Sequence, residues 1–136
     1  MSERLPIKST ITFLYYQDLA PAAEFYQTVL GLACALDAGW AKIYAVPSGG
    51  FIGLVCGDRG HLKAQRENAV LITLLVQDLG AWHDYLAGLD VPGLTEIRAI
   101  DEVQIQSFFL RDPGGYAVEV QQFLDPEVAR RFGQSD

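Results

Sequence analysis

Few residues in this chain combine the type and the spacing that chemistry needs. Its two histidines, His61 in "GDRGHLK" and His83 in "AWHDYL", stand in no ligand-spaced motif. The sequence has no Walker-type loop, no dinucleotide fingerprint and no nucleophile elbow. Glu119, in "RDPGGYAVEV", is the sharpest candidate: it can act as a general base or anchor a cationic group. The competing reading pairs it with Lys42 or leaves it solvated. Tyr15, Trp40, Tyr44 and Phe109 have planar faces that can sandwich a flat ligand, or can simply fill the space between two sheets. Lys42, Ser107 and Gln121 are their polar companions. Arg111 and Asp112 precede Pro113 and read as turn residues, Asp112 bonding backbone N–H groups.

The elements that must position these residues are written twice. "YYQDLAPAAEFY" from Tyr15 returns as "LVQDLGAWHDYL" from Leu75. Placing Asp18 on Asp78 aligns "QDL" with "QDL" at an offset of 60, and Leu14 with Leu74. Ala22, Phe25, Tyr26 and Val29 fall at i, i+3, i+4 and i+7, one helix face. Trp82, Tyr85, Leu86 and Leu89 repeat those places, so Trp82 reads as core and His83 beside it as solvent-exposed. Asp18 and Asp78 are N-cap candidates. "KIYAVPSGGFIGLV" and "SFFLRDPGGYAVEV" repeat in turn, and matching their Gly-Gly pairs gives an offset of 65. Each unit therefore reads strand, helix, three strands. Strands are expected near 10–17, 33–37, 40–46 and 51–56, then near 69–77, 94–99, 103–111 and 116–122. Helices are expected near 20–30 and 79–89, and a short one at "DPEVARRF", with Asp125 as cap. This divides a single domain, 1–136, into units 9–57 and 69–122, a connection 58–68 and a tail 123–136. "CGDRGHLK" serves either as a linker or as a lid.

Composition narrows the partners. A net charge of −7 argues against nucleic acid and anionic membranes. No apolar run reaches the ~20 residues that span a bilayer. Two well-separated cysteines, Cys34 and Cys56, with no apolar leader in "MSERLPIKST", point to unbridged thiols and a cytoplasmic location.

The duplicated βαβββ unit, with "DLAPAAEFYQTVLGL" early and "RDPGGYAVEV" late, resembles the vicinal oxygen chelate superfamily, which includes glyoxalase I, bleomycin-resistance proteins and extradiol dioxygenases. The resemblance spans about residues 9 to 122. It implies an α+β fold of curled mixed sheets around a cup, completed by homodimerisation. It also implies four metal positions, which fall here on Ile11, Leu54, Leu71 and Glu119. Three are aliphatic and have no lone pair to offer, so no metal and no other cofactor is expected. With Ile11 facing the cup, alternation brings Phe13 and Tyr15, then Leu71, Thr73 and Leu75, to the same side. The 65 offset adds Trp40, Lys42 and Tyr44, matched with Ile105, Ser107 and Phe109, and Ile52, Leu54 and Cys56, matched with Ala117, Glu119 and Gln121. Leu14, Ile43, Val55, Leu74, Phe108, Leu110, Val118 and Val120 are left to pack under the helices. The expected function is metal-independent binding of an unidentified small molecule, planar or cationic. The alternatives are a lyase or isomerase using Glu119 as acid/base, with or without a divalent metal, and a regulatory ligand-binding module.

Overall fold

A computed structural model describes residues 5–133; residues 1–4 and 134–136, the latter part of the expected tail, lie outside the described residues. The chain divides between Arg66 and Glu67 into two compact units. The first runs β1 (Ile11–Tyr16), α1 (Leu19–Glu24) continued by a π-helical turn (Phe25–Val29), β2 (Ala33–Asp37), β3 (Ala41–Ala45) and β4 (Phe51–Cys56). The second runs β5 (Leu71–Leu75), α2 (Leu79–Gly88), β6 (Arg98–Ile100), β7 (Ile105–Arg111) and β8 (Ala117–Phe123), and α3 (Pro126–Arg131) follows. The sheet orders are β1-β4-β3-β2 and β5-β8-β7-β6. In each, the first and last strands pair in parallel and the other neighbours are antiparallel. The fold is therefore α+β, with two open mixed sheets. No helix among the described residues is long and apolar enough to cross a membrane.

The helices start where short carboxylates can take the first unpaired N–H groups. Asp18 accepts from Ala20, Asp78 from Ala81 and Asp125 from Glu127. α1 lies against β4 and, with its π turn, buries Ala22, Phe25 and Tyr26 as the spacing predicts. α2 departs from expectation. Of its four repeated positions only Leu86 is fully buried; Tyr85 and Leu89 are exposed. Its packing face is Leu79, His83 and Leu86, at i, i+4 and i+7. His83 is half-buried rather than at solvent, its ring edge-on to Phe108 with centroids 4.9 Å apart. Trp82, half-buried, and Tyr85, exposed, pair edge-on with each other at 5.7 Å.

The last two strands correct the repeat. Ile11 pairs with Phe51, and its counterpart Leu71 pairs with Ala117. Ile43 opposes Gly53 as Phe109 opposes Glu119. Val46 N–H reaches the Gly50 carbonyl as Asp112 N–H reaches that of Tyr116. Each of these correspondences is an offset of 66, not 65. The turns superpose through their prolines, Pro47 on Pro113, so Gly49 falls on Gly115 and Gly50 on Tyr116. A one-residue slip turns a strand inside out, and it reassigns β3 and β4. Lys42 opposes Leu54 and Tyr44 opposes Ile52. Leu54 in turn lies beside Leu14, on the face that packs under α1. The opposite face of this sheet carries Ile11, Phe13, Tyr15, Ala41, Ile43, Phe51, Gly53 and Val55. In the second unit the alternation holds as read from sequence, because β5, β7 and β8 needed no cross-unit offset.

The second strand of the second unit, β6, is shorter than the expected 94–99. Thr95 N–H donates to the Phe109 carbonyl, but the Phe109 N–H is taken by Thr95 Oγ1, both at 2.9 Å. A side chain thus replaces a ladder bond, and regular pairing begins only at Arg98.

Candidate functional site

The candidate site is built on the face of the β5–β8 sheet opposite α2; the end of the same face receives α3, whose Phe132 stacks on Phe123 with centroids 4.9 Å apart. Two cross-strand rows meet there. Thr73, Glu119 and Phe109 form one; Leu75, Gln121, Ser107 and Arg98 form the next. The Glu119 residue is 7% exposed, and both of its oxygens are engaged. Thr73 Oγ1 donates to Oε1 at 2.9 Å, and Gln121 Nε2 donates to Oε2 at 3.3 Å. Parallel pairing sets Thr73 directly beside Glu119, and the period of two along β8 puts Gln121 on the same face. The carboxylate is thereby fixed in one orientation at the sheet surface, a geometry suited to receiving a cation or a polarised O–H or N–H.

Beside it lies a depression of about 270 Å³ lined by Thr95, Glu96, Arg98, Ser107 and Phe109. The Phe109 side chain is 41% exposed and forms an aromatic wall. His83 holds that wall from behind, its Nε2 donating to the Thr95 carbonyl at 2.9 Å while Thr95 grips Phe109. Thr95, Glu96 and Arg98 were not legible as site residues. Their segment reads as an ordinary strand, and only the broken ladder folds it around Phe109. Asp112 is buried in the β7–β8 turn and accepts from Gly114 and Tyr116 N–H, the turn role its spacing predicts.

The remaining sequence candidates lie in the first unit. Tyr44 is 0% exposed, on the helix side of its sheet, and its hydroxyl donates to Gln27 Oε1 at 3.2 Å. Burial raises the Tyr44 phenol above its ordinary 10.0, with Cys34 and Asp37 adding to the shift. Lys42 pairs with Asp37 at 3.4 Å across the β2–β3 ladder. The Asp37 carboxyl is lowered, first by the Gly39 N–H; burial opposes this, and the charge and hydrogen bond of Lys42 lower it further. Trp40 is exposed at the head of β3, with the Arg59 guanidinium 5.3 Å above its ring. Tyr15 shares the helix-free face with Val55, and the turn through Gly60 covers both; a Cβ at Gly60 would overlap them. The start of the "CGDRGHLK" segment is thus a turn packed on its own sheet, with Arg59 and Gly60 N–H groups bonded to the Cys56 carbonyl.

The two units differ most at the positions equivalent to Glu119 and its partners. Gly53 stands where Glu119 stands in the second unit, and Phe13, Val55 and Ala41 stand for Thr73, Gln121 and Ser107. A Cβ on Gly53 would overlap the Phe13 ring, which therefore lies flat over the glycine.

The family model of the Glyoxalase/Bleomycin resistance protein/Dioxygenase superfamily matches residues 9–120. The chain belongs to this superfamily. Among solved structures of the glyoxalase fold it is similar to a lactoylglutathione lyase from Agrobacterium tumefaciens, at 21% identity and TM-score 0.70 over 87% of this chain and 95% of that one. It is also similar to a protein from the mobile metagenome of V. Pseudocholerae, at 21% identity and TM-score 0.69 over 92% and 100% of the two chains. A third is a glyoxalase/bleomycin resistance protein/dioxygenase from Nocardioides, at 16% identity and TM-score 0.72 over 90% and 87%. No curated protein matches the chain. With the corrected register, the glyoxalase-type metal positions fall on Ile11, Gly53, Leu71 and Glu119. One carboxylate among an absent side chain and two alkyl groups does not fit a divalent ion. Among the described residues no group of three or more His, Cys, Asp or Glu could hold one.

Proposed function

We propose that this glyoxalase-superfamily chain is a metal-independent small-molecule-binding protein whose polar centre is Glu119. The observation that carries the reading is the carboxylate itself: nearly buried, oriented by Thr73 and Gln121, and set beside the exposed Phe109 ring. That pairing favours a planar cation, which stacks on the ring and gives its charge to the carboxylate. The donor set around Glu119 supports binding without a metal. The largely apolar helix-free face of the first unit, where Ile11 and Phe13 are exposed, supports a homodimer. The unbridged Cys34 and Cys56 support a cytoplasmic setting.

Benzylamine is the simplest probe, and calorimetric titration of the full chain is the test. Glu119→Gln is expected to weaken its binding by about tenfold or more, the loss of one charge-assisted contact. Equal affinity in both proteins would remove Glu119 from the site. A lyase or isomerase on the same fold would use Glu119 to move a proton. It would be recognised by turnover of an α-hydroxy or thioester substrate that Glu119→Gln abolishes.

A further inference from the structure

The depression beside Glu119 carries charge that the reading above does not use. Arg98 and Ser107 are register partners on adjacent strands and share its floor and rim. The Ser107 residue is 2% exposed, yet nothing among the described residues hydrogen-bonds its hydroxyl. The Arg98 guanidinium is exposed and has no ion-pair partner among the described residues, although Glu96 lies two positions away along the chain. A fork of donors beside a nearly buried hydroxyl is an anion-reading arrangement, best matched by a carboxylate. Glu96 lines the same depression and opposes a ligand that is anionic at both ends.

Distance sets the size of what fits. Arg98 and Glu119 are two strands apart and one same-face step along, which places their Cα atoms roughly 12 Å apart by ordinary sheet spacings. Phe109, on the strand between them, stands on the same face, and two extended side chains can close that separation to about the width of one aromatic ring. Resting on the Glu119 reading, we propose that the site selects a small amphoteric aromatic compound. Its carboxylate meets Arg98 and Ser107, its ring stacks on Phe109, and its ammonium meets Glu119.

Three probes test this on the full chain by calorimetry: para-aminomethylbenzoate, benzylamine and benzoate. The amphoteric probe is expected to bind at least about tenfold tighter than either half-probe, one added charge-assisted contact in each comparison. Arg98→Gln should erase its advantage over benzylamine, while benzylamine, relieved of a like charge, should bind no more weakly than it does to the parent protein. Ser107→Ala should reduce that advantage without erasing it, and Arg98→Lys should keep part of it, since the charge survives and the fork does not. Arg98 is exposed, so Arg98→Gln and Arg98→Lys should melt with the parent protein. Equal affinity for benzylamine and para-aminomethylbenzoate would overturn the proposal, as would an advantage that survives Arg98→Gln. Benzylamine that fails to bind, or binds regardless of Glu119→Gln, overturns the Glu119 reading and this proposal with it.

Discussion

At Glu119 both carboxylate oxygens already accept a hydrogen bond, so replacement by glutamine tests charge more than shape. The new amide oxygen can keep the Thr73 hydroxyl, and Gln121 can turn its own amide to offer oxygen. Urea unfolding of Glu119→Gln should shift by less than about 1 kcal/mol, while the benzylamine titration collapses. A loss of several kcal/mol would make Glu119 a structural group. Tyr44 works the other way, as a packed core phenol. Its pKa is raised by burial first and by Cys34 and Asp37 next, so the fold favours the neutral form. Its contribution is complete below the unfolded-state value and is lost as pH rises from there through the folded-state value. Tyr44→Phe should cost about 0.5–1.5 kcal/mol near neutrality, the net worth of the Gln27 hydrogen bond. It should also flatten the fall in stability above about pH 10. Urea midpoints taken on both sides of that pH decide it; a parallel fall in both proteins would discard Tyr44 as the titrating group.

At the scale of the strand, the register decides which substitutions touch the core. Leu54 is fully buried beside Leu14, so Leu54→Ala should cost about 2–5 kcal/mol as a cavity does. Ile11, exposed on the other face, should cost no more than about 0.5–1 kcal/mol when cut to alanine. Denaturant titrations of the pair that came out reversed would restore the 65-residue offset. Gly53 gives a second check on the same sheet. Gly53→Ala pushes its methyl into the Phe13 ring and should cost about 1–3 kcal/mol. Most of that penalty should vanish in a Phe13→Ala background, where the ring is gone. Additive losses in the double variant would mean that Phe13 does not lie over Gly53.

Across the whole molecule, the two copies of the duplicated unit differ in the side chains that one face of each sheet presents. One sheet presents apolar and aromatic side chains, Tyr15 among them, on its helix-free face, and the other presents Thr73, Ser107, Glu119, Gln121 and Arg98 on the face opposite α2. The sequence positions that hold a metal elsewhere in the superfamily therefore supply a single donor here. Protein purified without chelator is expected to carry no stoichiometric divalent metal by elemental analysis. About one tightly held ion per chain would overturn the metal-independent reading.

Two βαβββ units, their helices and their caps were written in the residues, because a cap needs a short acid at one place and a helix face repeats every three to four residues. The superfamily followed from the same repeat. The faces of β5, β7 and β8 in the second unit were also legible, since alternation needs only one anchored residue; no face was assigned to β6. Carrying the face to β3 and β4 was different. It depended on aligning two turns, and the paired glycines misled where the prolines did not: a glycine can fill several places in a turn, whereas proline fits few. Tyr44, Lys42 and Leu54 changed sides for that single residue of register. The depression around Arg98 was decided by tertiary structure alone. It exists because Thr95 takes the Phe109 N–H with its side chain and His83 reaches from α2 to hold Thr95. Those bonds join residues 12 and 14 positions apart, and no local pattern encodes them.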